Sequence, residues 1–372
     1  MRGDRIGFRS GMQVDMPLLL CIVAIATLGV VNLYSATSVY IDAGKRAGLA
    51  DIYVSQVYWI VVGGLLAIAA AVIDYRHFER LAYFVYAGGI VSLGLVFVLG
   101  ADIRGSSRWI QLGSFTFQPS EFMKILVVLA VAKYLHDDAR TELRTLFDLV
   151  SVLFLTGLPV ALVMAQPDLG TSLVIMLTVG TVLAMVKIRR RSLVTLAVLA
   201  VVVPPIFWRY LMKDYQKARI TSFLDPEGDK TGAGWHAFQS KTAIGNGGLT
   251  GEGFMQGTQN QFGFLPDQHS DFPFAVFAED WGFAGSAVLL GLYCFLCIWA
   301  VHVASQSKDR FGAAVAVGIG ALVFWHTAFN VGMAMGILPV VGITLPLFSY
   351  GGSSVVTMLI GLGLLMNVSM RR

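Results

Sequence analysis

Asp271 lies in the stretch FLPDQHSDF at 264–272, at the mouth of a long apolar run, and closes the glycine-rich segment 212–271 of a chain that is otherwise almost all apolar. A carboxylate placed where water meets lipid, after a loop large enough to fold, points to chemistry on a lipid-anchored substrate. Glu121 and Lys124 form a second centre. Three residues apart, they share one face of a helix, about one to two turns below the surface at a rise of ~1.5 Å per residue. Ionisable groups at that depth are costly and usually face a bundle interior or a wet cavity; the plain alternative is a lysine that snorkels to the interface. Four openings of apolar runs are polar as well: QPSE at 118–121, QPDLGTS at 166–172 with Asp168 as a candidate N-cap, HSD at 269–271 beginning with His269, and SYGGSS at 349–354 containing Ser353. Helix N-termini with free amides are anion sites, so four such ends together could hold a phosphate or pyrophosphate. Ordinary capping is the simpler account of each taken alone.

The elements that must position these residues are membrane spans. The chain is 56% hydrophobic and 13% charged, with a mean hydropathy of +0.70, far from the balance of a soluble domain. Since about twenty apolar residues cross a bilayer, the sequence predicts an all-α polytopic membrane protein with ten transmembrane helices, near 14–37, 54–73, 80–99, 119–135, 146–165, 169–187, 192–211, 272–303, 311–335 and 345–368. Residues 1–372 then form a single integral membrane domain, with 212–271 as its large extracytoplasmic loop between spans seven and eight. Basic residues collect on one side: Arg2, Arg5, Arg9, Arg76, Arg80, Lys133, Arg140, Arg144, Lys187, Arg189 to Arg191, Lys308, Arg310, Arg371 and Arg372. The short loops opposite hold Lys45, Arg46, Arg104 and Arg108. The positive-inside rule therefore puts both termini in the cytoplasm and the long loop outside.

The first apolar run is too long for a cleavable signal and is expected to stay as an anchor. The net charge of +4 is accounted for by these loop arginines, with no nucleic-acid surface implied. Cys294 and Cys297 form a CxxC inside an apolar span, which reads as packing and not as a metal site.

The long loop has internal order. Tyr215, Gln216 and Arg219 lead into the turn signal Leu224-Asp225-Pro226-Glu227, and Trp235, Phe238 and Ile244 alternate with polar residues in a helical pattern. The run GNGGLTGEG at 245–253 allows close backbone approach to something, and it lacks the Gly-Lys-Ser/Thr ending of a Walker loop. Gln239, Gln259, Gln261, Phe262 and Phe264 beside it favour an ordered Ω-like loop over a linker.

Four motifs, QPSEFMK at 118–124, AQPDLGTS at 165–172, QSKTAIGNGGLTGEGFMQGTQNQFGFLPDQHSDF at 239–272 and GILPVVGITLPLFSYGGSS at 336–354, resemble those of the SEDS family of polytopic cell-wall proteins. The spellings Gly257-Thr258-Gln259 and Phe264-Leu265-Pro266 are nearer its elongation branch than its division branch. The resemblance implies a peptidoglycan glycosyltransferase that polymerises lipid II, a disaccharide-pentapeptide on undecaprenyl pyrophosphate, at the outer face of the bacterial inner membrane. It implies as partners a class B penicillin-binding protein, a transpeptidase, and elongasome proteins such as MreC and MreD. Carried over residue by residue, the essential acid falls on Asp271, a pocket-lining ion pair on Glu121 and Lys124, and a motif acid on Asp168. Ser270 and Pro273 stand where members often show Thr and Ile; neither change removes a proton-transfer group.

Such a reaction needs one base for the sugar hydroxyl, and pyrophosphate leaves well enough to dispense with a second carboxylate as general acid. Asp271 is the candidate base. Lys124, Arg108 and Arg219 are candidates for the leaving-group side, and Gln259, His269 and Ser353 for further substrate contacts. Oxygen-rich substrates favour a divalent cation, Mg²⁺ or Mn²⁺, although no carboxylate cluster dictates a site. A lipid II flippase and a non-catalytic scaffold for the transpeptidase are the competing readings. Against transport, the polar residues gather near one end of the spans and no matched pair of broken helices is legible.

Overall fold

The computed structural model describes residues 13–42, 51–103, 106–112, 115–138, 143–210, 212–225, 233–265 and 267–372. Arg2, Arg5, Arg9, Lys45, Arg46, Arg104, Arg140, the Pro226-Glu227 half of the turn signal and Pro266 lie outside the described residues. Helices α1 (Met16–Asp42), α2 (Ile52–Val72) and α3 (Tyr75–Leu99) are followed by strands β1 (Gly100–Ile103), β2 (Ser106–Leu112) and β3 (Phe115–Phe117). Next come α4 (Pro119–Asp137), α5 (Val150–Ala165), α6 (Leu169–Leu183) and α7 (Arg190–Tyr210). The long loop folds into α8 (Asp214–Leu224), α9 (Ala233–Asn246) and α10 (Thr258–Gln261), and the chain ends with α11 (Pro273–Ser305), α12 (Arg310–Ala334) and α13 (Gly352–Arg371).

Among the described residues eight helices are long and apolar enough to cross a membrane, so the chain is a multi-pass membrane protein. The other two predicted spans are present as helices of different character. α4 carries Glu121 and Lys124, both buried, which lower its hydropathy. α6 stops at Leu183 and extends only about 22 Å at ~1.5 Å per residue, short of a ~30 Å hydrocarbon core. The antiparallel sheet β1-β2-β3 is a departure from the all-helical expectation. Its strands of 4, 7 and 3 residues are too short to show a period-two pattern beside the spans.

α12 and α13 form the centre. Of their apolar stretches 67% and 78% lie buried inside the protein, against 6% for α7, whose apolar length is left almost wholly uncovered by the rest of the chain. α13 packs tightly on α2: a Cβ on Gly363 would sit 2.4 Å from the Ala67 carbonyl oxygen, so the small residue sets the approach of the two backbones.

α11 is not one helix. Gly282, at φ 64 and ψ −163, breaks the ladder, which frees the N–H groups of Phe283 and Ala284 and the carbonyls of Glu279 and Asp280. The glycine run takes up all four. Phe283 N donates to Gly248 O at 2.9 Å and Ala284 N to Leu249 O at 3.0 Å, while Glu252 N reaches Glu279 O at 3.0 Å and Gly253 N reaches Asp280 O at 3.1 Å. Unsatisfied backbone groups at membrane depth are prohibitive, so this exchange permits the break. A Cβ on Gly251 would lie 2.1 Å from Asp280 O, which explains why glycines supply the docking surface. Residues 283–305 alone reach about 34 Å, enough to cross. The predicted eighth span, 272–303, is therefore a short helix at 273–281, buried as far as Asp280, followed by a helix long enough to cross the membrane.

Candidate active site

The predicted site residues gather on the face that carries the long loop, and one stretch, 336–354, irregular up to the start of α13 at Gly352, links several of them. Gly342 is the centre of that stretch. At φ 75 it turns the chain, and a Cβ there would lie 3.7 Å from Asp271 Oδ2. Asp271 is half-buried in a turn whose N–H bonds to Asp267 O at 3.0 Å. Asn330 of α12 donates through Nδ2 to the carbonyls of both Asp271, at 3.0 Å, and Ile343, at 2.8 Å. The Asp271 turn is also tied to 336–354 through His269, whose carbonyl accepts from Tyr350 N at 2.8 Å and whose ring lies 6.2 Å from the Tyr350 ring.

Glu121 and Lys124 are buried in α4, 7% and 3% exposed, and the ammonium bonds to Glu121 Oε2 at 2.8 Å; Lys124 does not snorkel. His326 of α12 meets it at 2.9 Å through Nε2, and the opposite ring nitrogen lies 2.9 Å from Thr344 O. A carbonyl only accepts, so Nδ1 carries the proton and Nε2 receives a hydrogen bond from Lys124. Thr344 Oγ1 in turn bonds Ser354 Oγ at 2.8 Å. Glu121, Lys124, Ser354 and Thr357 border a small cavity whose remaining walls are Ile125, Ile319, Leu322, Met358 and Gly361.

Arg108, Asp168 and Ser353 form a separate clamp. Arg108 Nε donates to Gln166 O at 3.0 Å, and an Nη donates to Pro167 O. Its other Nη stands 4.0 Å from Asp168 Oδ1. Arg108 thereby satisfies carbonyls at the end of α5, while Asp168 caps α6 by accepting from Thr171 N at 3.1 Å and Thr171 Oγ1 at 2.9 Å. Ser353 Oγ accepts from Gln118 N at 3.2 Å, joining α13 to the start of α4. Arg219 borders a cavity with Lys241, Phe223, Phe238, Leu338 and Val340, and neither cation has an acidic partner among the described residues. Gln259 lies at the start of α10, where its N–H donates to Glu279 at 2.9 Å.

Several buried polar residues were not singled out from sequence. Glu279 and Asp280, 0% and 2% exposed, hold the long loop onto α1: Glu279 also accepts from Asn260 N at 3.3 Å, and Asp280 accepts from Ser35 Oγ. Asn260 Nδ2 donates to Ser35 O at 3.0 Å and Gln268 Nε2 to Ala36 O at 2.6 Å. Two adjacent acids in an apolar run, and His326 and Asn330 four apart in the ninth predicted span, carry the same signal that marks Lys124, an ionisable or polar group where one is expensive. Among the described residues no group of three or more His, Cys, Asp or Glu side chains could by itself hold a metal ion.

This architecture defines a polytopic membrane protein with buried charges and the half-buried Asp271 grouped beneath a folded loop. The chain belongs to the cell cycle protein family of FtsW, RodA and SpoVE, whose model matches residues 16–372. It is 38% identical over 365 residues to the peptidoglycan glycosyltransferase MrdB of Escherichia coli strain K12, covering 98% of this chain and 96% of that one. It is 30% identical over 435 residues to the peptidoglycan glycosyltransferase RodA of Treponema pallidum, covering 98% and 99%. Among solved structures it resembles a chain from a peptidoglycan synthase complex that coordinates polymerization and crosslinking (TM-score 0.81, 34% identity, 96% and 97% covered). It also resembles the rod shape determining protein RodA of Thermus thermophilus (TM-score 0.70, 30% identity, 98% of both chains covered).

Proposed function

We propose that this chain is a peptidoglycan glycosyltransferase that polymerises lipid II at the outer face of the bacterial inner membrane during cell elongation, with both termini in the cytoplasm. The observation that carries the reading is the convergence on 336–354: the Asp271 carboxylate lies against Gly342, the Lys124 ion pair is tied to Thr344, and the two-cation cavity is walled by Leu338 and Val340. Asp271 takes the proton of the acceptor sugar hydroxyl as that oxygen bonds to the anomeric carbon of the donor. The donor's anomeric C–O bond breaks, and its electron pair leaves with the lipid pyrophosphate. A positioned base contributes about 10²–10⁴-fold. Arg219 and Lys241, with apolar walls between them, suit a phosphate joined to a hydrocarbon chain, and Lys124 steadies negative charge from within the bundle. Arg108, Asp168, Gln259, His269 and Ser353 set the walls around the sugars through the backbone bonds they make.

Since the described residues offer no cluster that would hold a metal alone, the substrate pyrophosphate together with a protein carboxylate would hold a Mg²⁺ or Mn²⁺ ion, which would supply neutralisation of the charge developing on the leaving group. Partnership with a class B penicillin-binding protein is supported by the likeness to a chain of a synthase complex; MreC and MreD are further proposed partners by family resemblance. The Gly282 break offers no ion site of the transporter kind, because the glycine run occupies its backbone groups. Purified protein given labelled lipid II in detergent tests the assignment. Glycan polymer is expected, whereas a flippase needs a sealed bilayer and a scaffold makes none.

A further inference from the structure

We propose that His326 is a positioning residue for Lys124, fixing the ammonium through the Nε2 lone pair while Thr344 fixes the ring. This inference rests on the glycosyltransferase reading and adds a residue to it. Three observations carry it. The Lys124 ammonium has three N–H donors, and its two partners come from different helices: Glu121 Oε2 from its own α4 at 2.8 Å and His326 Nε2 from α12 at 2.9 Å. With Glu121 alone, a long flexible side chain would be held at one point and could swing toward the interface. The second contact removes that freedom and leaves the third N–H for the cavity lined by Ser354 and Thr357.

The second observation is the tautomer. Thr344 O accepts from Nδ1, so the lone pair is on Nε2 and directed at Lys124. Thr344 also holds Ser354 through its hydroxyl, and Ser354 borders the same cavity. Lys124, His326, Thr344 and Ser354 thus form a circuit around one space, and a shift of 336–354 reaches the ammonium through the ring.

Third, the register of α12 couples the circuit to the carboxylate. Asn330, one turn from His326, takes the carbonyl of Ile343 next to Thr344 and also that of Asp271. One helix therefore fixes the distance between the cation and the base by binding two consecutive carbonyls of a single stretch.

Two substitutions divide the imidazole. His326→Gln places an amide oxygen near the Nε2 position, keeping an acceptor for Lys124 but giving up the Nδ1–H. His326→Asn places an amide N–H near the Nδ1 position, keeping the bond to Thr344 but not reaching Lys124. Steady-state polymerisation of lipid II by the purified full chain, with thermal melting measured in parallel, separates the roles. His326→Gln is expected to keep kcat within about threefold of wild type, while His326→Asn and the apolar aromatic His326→Phe lose about tenfold or more in kcat with KM little changed, the pattern of an interaction made in the transition state. Asn active and Gln inactive would assign the residue to Thr344 alone and overturn the proposal. So would full activity in His326→Phe, or activity that merely tracks the amount of folded protein in all three. If wild type itself makes no polymer, the glycosyltransferase reading fails, an outcome distinct from any pattern among the variants.

Discussion

Asn330 holds the backbone carbonyl of Asp271 at 3.0 Å through the same Nδ2 that holds Ile343 O at 2.8 Å. The acid proposed as base is thereby anchored to a central helix and not only to the helix that follows it. Its carboxylate faces Gly342, whose Cβ position lies in ordinary contact with Oδ2 at 3.7 Å. A backbone fixed in this way brings the carboxylate to a defined place without a partner helix having to close on it.

Asp271→Asn keeps the shape of the side chain and removes its basic oxygen. Polymerisation should fall by at least ~10²-fold, the lower range for a lost general base, with unchanged membrane insertion and melting. Near-normal polymer from folded Asn protein would remove Asp271 from the mechanism.

Lys124→Met leaves Glu121 buried without its cation, an arrangement that costs about 3–5 kcal/mol where a buried pair is broken. The single variant should melt lower than wild type and polymerise poorly. Replacing both residues, with Glu121→Leu added, should recover most of the melting temperature and none of the activity. Recovery of polymerisation in the double variant would show the pair to be structural only.

The glycine run offers an internally controlled pair. Gly251 sits at φ 84 with Asp280 O 2.1 Å from a Cβ position, while Gly245 has nothing within 4 Å and ends a helical turn. Gly251→Ala combines left-handed strain of about 1–2 kcal/mol with a backbone collision, so it should lower the melting point and the activity together. Gly245→Ala should leave both unchanged or raise stability slightly. Equal behaviour of the two would mean that docking of the loop on the Gly282 break does not hold the site.

Legibility followed chemistry more than geometry. The apolar runs announce the spans, and Glu121, Lys124 and Asp271 stand out because charge beside lipid is expensive. What 245–253 approaches was not legible, because the pairing depends on a break at Gly282 that looks like any glycine in an apolar span. Arg108 reads as a loop cation, yet the structure engages its guanidinium with carbonyls at the end of α5, a contact set by packing of distant segments. His326 carries a readable signal, but its partner Thr344 is defined only once 336–351 is seen to be irregular, where the sequence predicts the tenth span to start at 345.

Removing divalent cations with EDTA should stop polymerisation while leaving the melting temperature unaltered, since the described residues contain no protein-only cluster for a structural ion. Added Mg²⁺ or Mn²⁺ should restore activity. A fall in melting temperature on chelation would instead indicate an ion bound by the fold.

The orientation in the membrane underlies all of these predictions and can be read by labelling. In a variant with Cys21, Cys294 and Cys297 replaced, a cysteine at Phe262, which is 70% exposed, should react with a membrane-impermeant thiol reagent in intact spheroplasts. Gly257 looks from sequence like an equally good loop tip, but it is buried, with Glu279 Oε2 2.6 Å from where its Cβ would be, so a probe there would disturb the fold. A cysteine at Gln306, exposed between α11 and α12, should react only after the membrane is opened. This pattern follows from basic residues such as Arg189, Arg190, Arg310 and Arg371 lying on the face opposite the long loop. The reverse pattern would place Asp271 in the cytoplasm, where a lipid-linked sugar bound for the wall has not yet crossed, and polymerisation at the outer face would have to be abandoned in favour of transport or scaffolding.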